Sequence, residues 1–172
     1  MATTISNPAS FSSVRTAFNA EGYGISTSFF AYRQGAGIVP ATAYFNAIGA
    51  GTGGDPLQLS QFSGFTVPSP ATFSPAGGTS PGAPVQLGAV GQFNATVTIT
   101  CSQSCTWTYS PSFGAGGASA TIASGSSATS ITFSMDDLGA GPQNSGTFSV
   151  TGVAASGTTR YWTVELETFG NA

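Results

Sequence analysis

Phe93-Asn94-Ala95-Thr96-Val97-Thr98-Ile99-Thr100-Cys101 sets an apolar side chain at every odd position and a polar one at every even position. Successive side chains leave a β-strand on opposite faces, so a period of two marks a strand with one face buried. Cys105, Trp107 and Tyr109 keep this parity beyond Ser102-Gln103-Ser104. Ile131, Phe133 and Met135 form a second run, Phe148 and Val150 a third, and Trp162, Val164 and Leu166 the last. On that final strand Tyr161, Thr163, Glu165 and Glu167 take the outward parity. Loops rich in Gly, Ser and Pro at 110–117, 124–129 and 136–146 separate the runs. About seven short strands spaced in this way predict an immunoglobulin-like β-sandwich, with Trp107 as the plug of its core. Both cysteines precede the Trp, so the bridge between strands B and F of antibody domains has no counterpart.

Pro68, Pro70, Pro75, Pro81 and Pro84 crowd one stretch together with Gly77-Gly78. Proline fixes φ and removes a donor, so residues 67–84 read as an extended linker between a module at 1–66 and the sandwich at 85–172. The first module shows no alternation. Phe11, Val14 and Phe18 have helical spacing with Ser12 as the expected cap. Ile25, Phe29 and Tyr32 share one helical face, and Leu57–Phe62 is a third short segment. Each spans one or two turns, too little to be stable alone in water. The fold class expected is therefore mainly β, with a small loop-rich N-terminal module of short helices. Seven Phe and three Tyr on such short elements predict anchors that order against a partner or against copies of the same chain.

Only nine of 172 side chains are charged, there is no Lys and no His, and the net charge is -3. Ordinary soluble domains carry roughly a quarter charged residues. A surface this neutral has little protection against self-association, which fits a chain covered by neighbours in an assembly. Without His there is no usual general base and no imidazole metal ligand, and the abundant Ser and Thr lack a group to activate them. No enzyme activity and no cofactor are expected. Three scattered arginines make no phosphate-binding stripe, so no nucleic-acid partner is expected. No apolar run reaches the roughly 18 residues of a membrane helix. Met1 to Ser13 holds neither a basic stretch nor an apolar run, so no secretory signal is expected and a bacterial cell-surface protein is disfavoured.

Cys101 and Cys105 read either as two small buried hydrophobes or as a small-loop disulfide, the latter requiring 102–104 to turn. Asp136-Asp137 are turn formers rather than a calcium site, which needs six to eight ligands. Glu165 and Glu167 are outward surface acids with no pocket implied. Asn94-Ala95-Thr96 matches a glycosylation sequon by chance. Tyr161 with the 110–117 loop is the candidate contact for a glycan.

Taken together, Ser12–Phe18, then Phe30-Ala31-Tyr32-Arg33-Gln34-Gly35-Ala36-Gly37-Ile38-Val39-Pro40, then Leu57-Gln58-Leu59-Ser60-Gln61-Phe62-Ser63-Gly64 resemble a module of tailed-bacteriophage structural proteins. That module has a short opening helix, an aromatic-Arg-Gly segment leading to Val-Pro, and an Ile-x-Leu-Ser-x-Phe-x-Gly-like close. Gln34 interrupts the Arg-Gly pair here. Thr147–Gly152 and Thr158–Leu166 resemble the last two strands of immunoglobulin-like domains common on phage virions. The resemblance implies a virion structural protein of tail, fibre or decoration type, assembled in the host cytoplasm beside other virion proteins and copies of itself. The expected interface residues are Phe11, Phe18, Phe29, Phe30, Tyr32, Arg33, Val39, Pro40, Leu59 and Phe62. The alternative is a receptor-binding adhesin that recognises host surface glycans through its C-terminal domain.

Overall fold

A computed structural model describes residues 2–32, 58–113, 117–136 and 144–169, the side chains of 30 and 111–113 excepted. Among these the protein is mainly β, with nine strands and one short α-helix. The chain divides into two compact units, Met1–Ala71 with Ala155–Thr158, and Thr72–Ala154 with Thr159–Ala172.

In the first unit, β1 (Thr3–Thr4) pairs antiparallel with β2 (Thr66–Val67). Helix α1 (Phe11–Ala20) starts two residues earlier than the sequence suggests: its cap is Ser10, not Ser12. The Ser13 N–H donates to Ser10 Oγ at 3.0 Å and the Ser10 N–H to Ser13 Oγ at 2.9 Å, a reciprocal box that satisfies two end donors. Val14, Ala17 and Phe18 are buried along one face of α1. The other two segments contract to single 3-10 turns, Phe29–Tyr32 and Leu59–Phe62.

The second unit is built on β5 (Asn94–Phe113), twenty residues long. Asn94–Thr100 and, past a slip, Cys105–Trp107 pair with β7 (Ser126–Asp136), and Thr100–Cys101 also pair with β3 (Phe73–Ser74). Its second half pairs with β8 (Asn144–Ala154). Beyond these lie β6 (Ala118–Ala120) against β7, and β9 (Thr159–Thr168) against β8. β4 (Val85–Gly91) closes the other edge as the parallel neighbour of β9. Pairing slips between Thr100 and Cys105, and that slip shapes the core. Phe133 and Phe148 sit opposite Val97 and Pro111, which a straight strand would hold roughly 45 Å apart. Their ring centroids are nevertheless 4.6 Å apart. The sheet therefore bends at the slip, and its two arms face each other.

The parity read from the sequence is the parity of burial. Ala95, Ile99, Cys101, Cys105 and Trp107 of β5, Ile131, Phe133 and Met135 of β7, Phe148 and Val150 of β8, and Trp162, Val164 and Leu166 of β9 are all buried. Phe93 departs from it: it precedes the strand and is 57% exposed. Trp107, Trp162 and Phe73 form one ring cluster with centroids 5.3–6.0 Å apart. Each indole N–H is satisfied, Trp107 donating to the Ala128 carbonyl at 3.0 Å and Trp162 to that of Pro75 at 3.2 Å. Within the proline-rich stretch 67–84, Val67 lies in β2, Phe73 and Ser74 form β3, and Gly78 bridges to Tyr161.

Candidate functional site

Two places collect the residues singled out by the sequence. The first is the aromatic cluster of the N-terminal unit. Phe18, Tyr32 and Phe62 are completely buried there with Ile5, Val14, Ala17 and Val67. Phe18 meets Tyr32 edge-on at 5.5 Å and Phe62 at 6.5 Å. These three aromatic residues spend their surface on one another, so they hold the unit together rather than present a face. Tyr32 Oη accepts the Ser26 N–H at 2.9 Å, which gives the buried ring its polar partner. Phe11 and Phe29 are half-buried against this cluster, and Leu59 is exposed. Arg33, Val39 and Pro40 lie outside the described residues, as does the side chain of Phe30. Ile25, 57% exposed, is an apolar surface residue the sequence had given to a helical face.

Arg15 lies with its guanidinium 5.7 Å from the Phe11 ring centre, a cation–π arrangement. Its Nε is buried without a hydrogen-bond partner among the described residues. Glu21, at the end of α1, is a buried acid. It accepts hydrogen bonds from the Thr3 hydroxyl and, at 2.6 Å, from that of Ser69. Those hydroxyls, Ser69 first, hold its carboxyl below the ordinary range against the opposing push of burial.

The second place is the outer face of β8 and β9. Cross-strand register sets Ser149 opposite Thr163 and Thr151 opposite Tyr161. Backbone bonds between Gly78 and Tyr161 (2.8 and 3.1 Å) tie the segment carrying Pro81 and Pro84 beside this face. That segment is tight: a Cβ on Gly78 would lie 2.1 Å from the Ala83 carbonyl oxygen. Together these residues line an open cleft of about 120 Å³ with no charged side chain in its lining. Sequence parity identifies Tyr161 as outward, and the fold agrees. The cleft joins Tyr161 to Pro81 and Pro84; of the 110–117 loop, residues 114–116 and the side chains of 111–113 lie outside the described residues. No periodicity in the sequence indicates which loop folds over which strand.

The remaining candidates resolve as local structure. Asp136 accepts from the Asn94 amide at 2.6 Å, and Asp137 lies outside the described residues. Glu165 points outward and is exposed. Cys101 and Cys105 are free, buried thiols. Burial first, then the neighbouring Cys101, push the Cys105 thiol up to about 12. Among the described residues no three of Cys, Asp and Glu gather closely enough to hold a metal ion. No helix among them is long and apolar enough to cross a membrane.

No protein-family model and no curated protein matches the chain. Among solved structures it is similar, over 51% of its length, to a nucleoside hydrolase-related hypothetical protein from Saccharophagus degradans that is associated with carbohydrate metabolism. The identity is 15% and the TM-score 0.26, and the chain spans 22% of that protein's length. A likeness of that degree carries no argument about fold or activity.

Proposed function

We propose that the protein is a non-enzymatic structural component of a tailed-phage virion. Residues 1–66 would dock on the particle, and residues 85–172 would be displayed as an immunoglobulin-like domain. The observation that carries this reading is the scarcity of charge: nine charged side chains in 172 residues leave a surface suited to being covered. Large apolar residues exposed in the first unit, Ile25 and Leu59, supply the anchors that the buried Phe18, Tyr32 and Phe62 cannot.

Strand pairing supports the immunoglobulin-like part. In such domains strands A, B, E and D form one sheet, C, F and G the other, and strand C carries a buried Trp. β3, the first half of β5, β7 and β6 pair in the order A-B-E-D. The second half of β5, β8 and β9 pair in the order C-F-G. Trp107 falls on the segment corresponding to C. The departure is that B runs into C within one continuous strand.

Light scattering on the full chain across a concentration series tests the docking role. Defined oligomers that Ile25→Asp with Leu59→Asp converts to monomers are the expected result, and a monomer at every concentration would sink it. Mass spectrometry of sedimented particles from a producing lysate tests the virion itself: absence from the particles overturns that assignment.

A further inference from the structure

We infer that the cleft between β8–β9 and the Pro81–Pro84 segment is a binding site for one neutral hexopyranose unit of a saccharide. The inference stands apart from the docking role of residues 1–66. It begins with a contrast between hydroxyl pairs on the same sheet. Thr98 with Thr132, Thr106 with Ser127, and Ser119 with Ser134 are cross-strand neighbours whose hydroxyls bond to each other at 2.8–3.0 Å. Ser149 with Thr163 and Thr151 with Tyr161 are cross-strand neighbours too. None of these four side chains has a hydrogen-bond or ring partner among the described residues. All four residues line one cleft, and each hydroxyl can donate once and accept twice.

Geometry and charge narrow the ligand. Two adjacent cross-strand pairs span about 5 Å across the strands and about 7 Å along them, the footprint of a single sugar ring. The half-buried Tyr161 ring and the faces of Pro81 and Pro84 form the apolar side of the cleft. A pyranose offers the matching surfaces: one face of C–H groups and a rim of hydroxyls. No charged side chain lines the cleft, so an anionic or cationic ligand would find no counter-charge. The backbone does not compete as a recognition element. β9 is flanked by β4 and β8, and β8 by β9 and β5, so their N–H and C=O groups are already paired and no peptide strand can be added here. At about 120 Å³ the cleft is well below the size of drug-like pockets and takes one ring only. Affinity per site is then millimolar, and useful binding requires many copies on one surface.

The test is a titration of the isotope-labelled full chain, followed by amide NMR. The probes are methyl α-glucopyranoside, methyl β-galactopyranoside and methyl α-mannopyranoside, with methyl glucuronide as the charged control. At least one neutral glycoside should shift the amides of Ser149, Thr151, Tyr161 and Thr163 saturably, and Tyr161→Ala should weaken it about tenfold. Ser149→Ala and Thr163→Val, which leave the ring in place, should each weaken binding with an undisturbed spectrum elsewhere; they keep the test valid if Tyr161→Ala unfolds. Retention of the chain on a polymer of the active sugar, with release by the free glycoside, points to a surface glycan as the source. Binding of the glycoside without such retention points to a free sugar. No shift at about 50 mM of any neutral glycoside overturns the site. So does a shift that survives both hydroxyl substitutions, or tighter binding of the glucuronide.

Discussion

Trp107 shows how much a single residue decides in this protein. Its indole is completely buried, with Phe73 and Trp162 against it. Gly152 leaves it room, since a Cβ there would lie 2.9 Å from Trp107, 3.1 Å from the Cys105 sulfur and 3.2 Å from Phe73. Gly152→Ala should destabilise the protein by about 1–3 kcal/mol, read as a lower urea midpoint with the slope unchanged. A neutral result would mean that the ring cluster yields easily. Cys105 belongs to the same packing. With its thiol held near 12 it is almost entirely protonated at mildly alkaline pH. Iodoacetamide should modify it only after denaturation, as read by intact mass and peptide mapping. Rapid modification in the native protein would show that the bend in β5 opens readily.

Helix α1 depends on its two ends. Ser10→Ala removes the acceptor for the Ser13 N–H and should cost about 1 kcal/mol in thermal or chemical unfolding. Ser12→Ala, at an exposed position within the first turn, should stay within about 0.5 kcal/mol. At the other end, Glu21 ties the helix to Thr3 and Ser69. Its folded pKa lies below the unfolded value, so its contribution is fully present above the ordinary carboxylate range. That contribution disappears as pH falls through the lower, folded value. The Tm advantage of the natural chain over Glu21→Gln should be largest near neutrality and vanish in strong acid. A difference that stays constant through the acid range would show that Glu21 acts through shape alone.

At the scale of the whole molecule, nine charges in 172 residues limit what can hold copies together. Attraction between charged groups is weakened by salt within a Debye length of about 10 Å at 0.1 M, whereas burial of apolar surface is not. Assembly through Ile25 and Leu59 should therefore be unaffected or strengthened by sodium chloride, as followed by light scattering. Dissociation by moderate salt would instead assign the contact to the few charged side chains.

The strands of the second unit were legible because their faces differ in polarity: residues 95–101 and 162–167 declare parity by side-chain type alone, and parity survives any arrangement of the strands. Helix α1 was legible through Phe11, Val14 and Phe18, while its cap was not, since Ser10, Ser12 and Ser13 are chemically alike and only backbone geometry selects among them. The aromatic residues of the first module were read as outward anchors because their elements are short. Contacts between Phe18, Tyr32 and Phe62, up to 44 positions apart in the chain, turned them inward, and no local period encodes such contacts. The same holds for the cleft. Composition determined a charge-poor chain without His or Lys, and alternation within the sequence determined that it is mainly β. Tertiary structure alone decided that Pro81 and Pro84 lie beside Ser149, Thr151, Tyr161 and Thr163, because a loop's docking depends on distant surfaces meeting and not on the pattern within either one.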